Sequence, residues 1–514
     1  MALVIAGRIV PMNNTDPSAV FTGRIYLGDD GFIDAVTDGA AKAPTGFADA
    51  PTVDVGDALV IPGLIDLHNH LGYNALPLWA EPTQKTPFRH HNDWPTKPSY
   101  KPDISWPAWV LAKADPEAML AYVQARALVG GTTAIQGWPA FNRPPQMVLR
   151  NIDDEKAGTT NRNLVYTSVI TETPLQLAHT AQLMNGGVGF IYHCAEGLPG
   201  SVVAREFNDA ANAGCLQKKL LAIHCNAVDD EDWQRWKESD AGAVVWSPFS
   251  NLWLYGVTTN ISAALKQGVS VCLGSDWGPS GTKHVLAEVK VAKLVSQKQQ
   301  LGLKDRDLVA MATSNPGDIL TRCWSRQIGR LIPSSFADVT VLRTRGDGDV
   351  WSQIVNATER EVMLVVVGGK PRYGDSAAMK AAGSGPSSVV SVSGKRRKLA
   401  ILDPQNSTTA FKWSDIVSRL QLVRKDPVAA LKRAEERSRA FAGPVSGSDA
   451  PLELALDMPS GDALGFAGPP RDPADVVVPQ LPSLVHDKAF FDDVRGHGFH
   501  GGLLDGLADF YRKD

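Results

Sequence analysis

The chain has 514 residues, 44% of them hydrophobic and 21% charged, with a formal net charge of −4. It is too long for one small domain, and its composition is ordinary for a globular enzyme, so two or three domains are expected. The mildly acidic balance argues against nucleic acid or an anionic membrane as a general partner.

Met1–Val10 is apolar but short, lacks a basic leading region and is interrupted by Arg8, so it reads as a strand rather than a signal peptide. Up to residue 60, strand-like pieces at Leu3–Val10, Arg24–Leu27 and Phe32–Val36 are broken by Gly and Asp, which predicts a small β-domain. From about 60 to 330, apolar strand runs alternate with helical stretches. The strands read are Leu59–Leu67, Thr132–Gly137, Leu164–Ile170, Val188–His193, Leu220–Cys225, Ala243–Trp246 and Ser270–Gly274. Helices are predicted at Glu117–Val129, Leu175–Met184 and His284–Gln297. This rhythm implies parallel βα units and a TIM-like (β/α)8 barrel of the α/β class, with its eighth strand still to be found between residues 131 and 193.

Residues 337–373 return to β character, with strands at Ala337–Leu342 and Glu361–Gly368, and are expected to complete the first β-domain. Residues 376–394, rich in Ala, Ser and Gly, read as a linker, and Lys395–Lys398 as a solvated boundary. Ser414–Phe441 is predicted helical, with Ser414 as N-cap and Pro427 as an interruption or second start. Residues 443–482 hold eight prolines and predict no regular structure. The aromatic segment His486–Asp514 is expected to dock on the body or on a neighbouring subunit, and the barrel is expected to fold without the chain beyond 375. No apolar run approaches 18 residues, so no transmembrane helix is predicted and a cytoplasmic location is expected. Cys194, Cys215, Cys225, Cys272 and Cys323 are odd in number and widely spaced, which predicts free thiols, mostly buried.

The chemistry gathers where apolar runs give way to loops. Val60–Leu67 leads into His68 and His70, whose i, i+2 spacing puts both imidazoles on one face of a strand. His193 and Glu196 follow the run Gly189–Tyr192, His224 follows Leu220–Ile223, and Asp276 follows Val271–Leu273. In a βα barrel such strand ends converge on one face, and imidazoles with one carboxylate suit Zn²⁺ or Fe²⁺. One such histidine alone reads as an ordinary core or loop residue, but four with an aspartate do not. His90, His91, His179, His284, His486, His497 and His500 lack this context and read as ordinary.

This set resembles the amidohydrolase superfamily over about residues 1–375, and within it the branch of cytosine and guanine deaminases, triazine hydrolases and imidazolonepropionase. The matching parts are His68-x-His70, His193-x-x-Glu196, Ser247 to Asn251 after the seventh strand, and Ser275-Asp276. The resemblance implies a metal-bearing barrel (59–330), a small β-sandwich from both flanks (1–58 and 331–375) and a C-terminal extension (376–514) with no counterpart in the family pattern. It implies that His68, His70, His193 and Asp276 hold one divalent ion, Zn²⁺ ahead of Fe²⁺. Glu196 would shuttle protons and His224 would hydrogen-bond water or substrate. Two-metal members of the superfamily carry a bridging Lys on strand four, and neither Leu164–Ile170 nor Val188–His193 contains a Lys, which favours one metal.

The implied reaction is attack of activated water on a ring carbon. Asp276 accepts the water's proton, and Glu196 protonates the ring nitrogen and then the leaving group. The alternative for Glu196 is a loop carboxylate capping the next helix. Trp79 and Trp94, in the connection after His70, and Trp138 are candidate walls for a planar heterocycle. Asn251, Tyr73, Asn74, His90 and His91 are further candidates for substrate contact, and the alternative for this connection is a rigid, Trp- and Pro-packed loop. Hydrolytic deamination of a nitrogen heterocycle is the leading reading, with a small-molecule substrate and a homo-oligomeric assembly. Ring opening of a cyclic amide is the second, and a scaffold that has lost catalysis the third.

Overall fold

The computed structural model describes residues 2–153, 164–166, 171–345, 348–440, 451–456, 470 and 472–512. Eight short parallel strands carry the site. They are β1 (Leu64–Asp66), β2 (Thr132–Ile135), β3 (Arg150–Asn151), β4 (Leu164–Tyr166), β5 (Gly189–Cys194), β6 (Leu220–His224), β7 (Ala243–Trp246) and β8 (Ser270–Leu273). They form a three-stranded sheet, β1-β2-β3, and a five-stranded sheet, β8-β7-β6-β5-β4. The two meet where Leu67 N–H donates to Leu273 O (3.3 Å) and Asp276 N–H to His68 O (3.0 Å). Among the described residues no strand pairing joins β3 to β4, and the end of the predicted strand Leu164–Ile170 lies outside those described.

The strand missing from the sequence pattern is the two-residue β3, too short to show a period. Helices such as Pro116–Val129, Pro174–Asn185 and Val285–Gln299 follow the strands, close to their predicted bounds. Ile65, Leu67, Ile191, Leu221, Ile223, Val245 and Cys272 are almost fully buried in one cluster between these strands. Each large apolar side chain buried there contributes roughly 1.5–3 kcal/mol.

The predicted strand Leu59–Leu67 is two strands. Thr52–Pro62 belongs to an outer sheet, and β1 begins after Gly63. A Cβ at residue 63 would lie 2.1 Å from Thr133 Oγ1, so only glycine lets the chain cross from one sheet to the other here. The outer sheet has nine strands. Their spatial order is Ser388–Val392, Lys395–Leu399, Lys370–Asp375, Val362–Val367, Val339–Leu342, Thr52–Pro62, Leu3–Ile9, Phe21–Leu27 and Ile33–Asp38.

The extension differs from its sequence reading. Residues 376–394 are not a linker, because Ser376–Ala381 is helical and Ser388–Val392 is a strand that buries alternate residues. Lys395–Lys398 is no solvated boundary either: it lies in the strand Lys395–Leu399, where Arg397 is 2% exposed and ion-paired to Asp375. The helices Trp413–Lys425 and Pro427–Ala440 break at Pro427, and the first is capped by Lys412 rather than Ser414. Within the proline-rich stretch 443–482, residues 443–450, 457–469 and 471 lie outside those described.

The extension packs on the body at several points. Trp413 stacks on Tyr122, and Arg419 grips Asp115 with two hydrogen bonds (2.7 and 2.6 Å). His497 stacks on Trp253 at 3.8 Å and donates to its carbonyl. All five cysteines are free and buried. Among the described residues, no helix is long and apolar enough to cross a membrane.

Candidate active site

His68, His70, His193, Glu196, His224 and Asp276 meet at one end of the parallel strands, and none is more than 4% exposed. The His68 ring lies 5.0 Å from that of His70, 4.9 Å from His193 and 5.1 Å from His224. Asp276 Oδ1 is 3.2 Å from His68 Nε2 and 3.7 Å from His70 Nε2. The donor atoms of His68, His70 and Asp276 lie within 4.8 Å of one another, as do those of His68, His193 and His224. His224 thus sits as close to the group as a ligand does. Its Nε2 faces Glu196 Oε1 at 3.7 Å and Asp276 Oδ2 at 3.9 Å.

The backbone aims these groups by leaving the strands abruptly. Ala195, His224, Cys225 and Asp276 all hold positive φ (50°, 66°, 56° and 59°). Such conformations cost roughly 1–3 kcal/mol each in a non-glycine residue and persist where surrounding structure fixes them. Asp66 fixes one of them. Buried at the end of β1, it accepts hydrogen bonds from Ser275 N–H (2.8 Å) and the Ser275 hydroxyl, which holds the turn carrying Asp276. Burial pushes the Asp66 carboxyl up to about 7, against the lowering by these bonds. The Asn69 amide donates to Asp276 O and Ser275 Oγ, so the β1 and β8 ends form one unit.

Two amides set the histidine tautomers. Gln136 Oε1 lies 3.2 Å from His68 Nδ1, while its Nε2 donates to Asp153 (3.0 Å). Asn251 Oδ1 lies 2.9 Å from His224 Nδ1, and its amide is anchored on Thr258 and Thr259. A proton held on each Nδ1 leaves Nε2 as a lone pair facing the centre. Burial pushes His224 down to about 3 and His193 well below its ordinary value, so both imidazoles are neutral. Burial alone would raise the Asp276 carboxyl, but the surrounding imidazoles outweigh it and hold it below its ordinary value. Neutral imidazoles and an ionised carboxylate, buried and converging, are the donor set a divalent cation takes.

Glu196 is the exception. Burial pushes its carboxyl up to about 8, so it keeps a proton at neutral pH. Its Oε1 accepts from Tyr255 OH (2.6 Å), which in turn accepts from Trp94 Nε1 (3.1 Å). His91 Nδ1 stands 3.6 Å from Glu196 Oε2, and His91 Nε2 bonds to Glu206 at 2.9 Å. Burial lowers His91, but Glu206 and Glu196 outweigh it and leave its pKa raised. His91 is therefore no ordinary loop histidine.

The connection over residues 71–115 is fastened across the site. His91 N–H donates to Glu196 O, Leu198 N–H to Arg89 O, Phe88 N–H to Leu254 O and Trp79 N–H to Pro279 O. Within it, Trp94 reaches Glu196 through Tyr255, whereas Trp79 stacks on Phe88 and donates to Ser99. Trp138 is buried, with its backbone N–H on Asp153. Asn251 lies behind His224 rather than at an open face, Asn74 bonds to Asn69, and Tyr73 packs on Trp277. His90 is partly exposed beside Gly197.

Sequence reasoning missed Asp66, Gln136, Asp153, Glu206 and Tyr255. Asp66, a carboxylate inside an apolar run, and Gln136, at a strand end, carried a signal. The other three carried none.

No family model matches the chain. The chain is 23% identical over 425 residues to a 5-methylthioadenosine/S-adenosylhomocysteine deaminase of Symbiobacterium thermophilum, covering 73% of this chain and 93% of the relative. Its fold is similar to that of guanine deaminase from C. acetobutylicum (TM-score 0.54, 16% identity, 72% of this chain and 100% of that one). It is also similar to that of an adenosine deaminase from Xanthomonas campestris solved with bound zinc (TM-score 0.56, 15% identity, 85% and 98%). The named deaminases among its relatives and the shared fold are consistent with the resemblance to the amidohydrolase superfamily.

Proposed function

We propose that this protein is a metal-dependent deaminase that removes an exocyclic amine from a nitrogen heterocycle of the purine class. The observation that carries the reading is the buried Glu196, held by Tyr255 and facing His224, which in turn faces Asp276. His68, His70, His193 and Asp276 would hold one divalent ion, Zn²⁺ ahead of Fe²⁺, a choice supported by the donor set and by the zinc in the Xanthomonas campestris neighbour. When bound, that ion supplies the Lewis acidity that makes water a nucleophile near neutral pH.

The chain's own groups manage the protons. Asp276 takes the proton released by water. Glu196 Oε2 would deliver its proton to the ring nitrogen beside the attacked carbon, take up the hydroxyl proton at that carbon and pass it to the departing amine, and Asp276 would return the water proton to Glu196. His224 Nε2 steadies the attacked group, and the connection over 71–115 excludes bulk water. The eight parallel strands are read as a (β/α)8 barrel over about 59–330 that closes between β3 and β4. The flanking sheet is read as a second domain built from 1–58, 331–375 and the strands at 388–399. Relatives named as deaminases weigh against ring opening of a cyclic amide.

Purified protein loaded with Zn²⁺ is expected to release ammonia from at least one of adenosine, 5′-methylthioadenosine and guanine. Glu196→Gln is expected to keep the metal and lose about 10²–10⁴-fold in turnover. Full activity in that variant removes the proton-shuttle assignment, and no ammonia from any heterocycle removes the deaminase reading.

A further inference from the structure

Arg126, on the helix Pro116–Val129, is 2% exposed. Its Nη1 donates to Asn74 O, its Nε has no hydrogen-bond partner, and no carboxylate among the described residues lies within ion-pair distance of it. Burial pulls its pKa down only to about 10, so the guanidinium remains charged. A buried cation without a counter-ion is strongly destabilising.

Arg126 lines a cavity of about 460 Å³ between the helix, the segment after His70 and the C-terminal extension. A second basic side chain lines it, whose amine burial pulls down to about 7. Lys283 is 4% exposed and donates to Ser483 O (2.8 Å) and Val485 O (2.6 Å), with Asp487 4.0 Å away. Leu76, Pro77, Leu481 and Phe490 supply apolar wall, and the partly exposed Asp487 and the exposed Asp493 also line the cavity. None of the six residues at the candidate active site lines it.

We propose that this cavity is a binding site for a small carboxylate with an apolar body, its carboxylate on Arg126. A guanidinium edge matches a carboxylate in two parallel hydrogen bonds. The volume lies within the range of small-molecule sites, and the apolar wall takes a hydrocarbon chain. Asp487 and Asp493 select against a more highly charged anion, so a single carboxylate fits better than a phosphate. The site adjoins the catalytic centre through a continuous chain of hydrogen bonds. Arg126 bonds to Asn74, Asn74 to Asn69 between the two histidines of the first motif, and Asn69 to Asp276.

The test is calorimetric titration and thermal unfolding of the full-length, metal-loaded protein with hexanoate and inorganic phosphate as probes. Hexanoate is expected to bind saturably and raise the Tm, with phosphate binding at least about tenfold more weakly. Arg126→Met is expected to be at least as stable as the wild type without ligand and to bind hexanoate at least about tenfold more weakly. Leu481→Glu, which places a carboxylate in the cavity wall, is expected to stay folded and lose hexanoate binding, and keeps the test open should Arg126→Met not fold. Equal hexanoate binding in wild type and either variant overturns the proposal. So does phosphate binding as tight as that of hexanoate, or no hexanoate binding by the wild type.

Discussion

One amide oxygen decides how His68 meets the centre of the site. Gln136 Oε1 faces His68 Nδ1 and also accepts from Asn69 N–H, while Asp153 holds the other end of the amide. Gln136→Ala is expected to lower metal affinity about 10–100-fold with the fold intact, measured by competition with a chromogenic chelator. Unchanged affinity would mean that packing alone orients the ring. The central groups were legible because each ends an apolar run, and strand ends are where a βα fold gathers its chemistry. Their supports were less so. Asn251 was read from a motif, but its place behind His224 follows from the helix Pro248–Tyr255 packing there. His91 and Tyr255 come from a long connection and from a helix end, and no period in the sequence marks either one.

A clasp outside the site shows how separate elements lock together. His284 precedes the helix Val285–Gln299, Glu359 precedes the outer strand Val362–Val367, and His486 belongs to the extension. Both histidines bond to Glu359 Oε1, at 3.1 and 2.7 Å. Lys283 N–H donates to His486 Nε2, so the His486 proton sits on Nδ1 and points at Glu359. That hydrogen-bond pattern makes the trio a structural clasp, with no lone pair left on His486 for a cation.

Burial alone would raise Glu359, but hydrogen bonds from His284 and His486 outweigh it and hold the carboxyl well below its ordinary value. A depressed folded-state pKa contributes stability that is present above the unfolded value and lost as pH falls through the folded one. His486→Ala is therefore expected to cost about 3 kcal/mol at pH 7 by urea unfolding. The deficit is expected to shrink as pH falls below about 6.5, where buried His486, held down to about 3, resists the proton it would take when unfolded. It shrinks further below about 4.5 as Glu359 loses its advantage. A pH-independent deficit would assign the loss to packing alone. The inner strands were legible from their apolar runs. Residues 388–392 were not, because they sit in a stretch, 376–394, rich in Ala, Ser and Gly, which suggests a linker. Yet Ser388, Val390 and Val392 face inward in strict alternation, a period that appears only once the strand has its partners.

At the scale of the molecule, the chain beyond 375 is part of the body. Strands at 388–399 complete the outer sheet, Arg419 holds Asp115 at the start of a strand-flanking helix, and His497 packs on the helix that carries Asn251 and Tyr255. The expectation that the barrel folds alone after a cut at residue 375 is therefore reversed. Truncation there is expected to give aggregated protein by size-exclusion chromatography, and a monodisperse, metal-binding product would show that the extension is dispensable. The aromatics of His486–Asp514 signalled docking on the body, as His497 on Trp253 shows, whereas the strands at 388–399 and the grip of Arg419 on Asp115 leave little trace in local composition. The clasp also sets a timetable for synthesis. His486 lies 127 residues after Glu359, so a ribosome adding roughly 5–20 residues per second supplies it about 6–25 s later. Until then the nascent chain already carries all six side chains of the candidate site, yet keeps an unclasped carboxylate and an uncovered apolar seam. A chain that stops before His486 leaves that seam open.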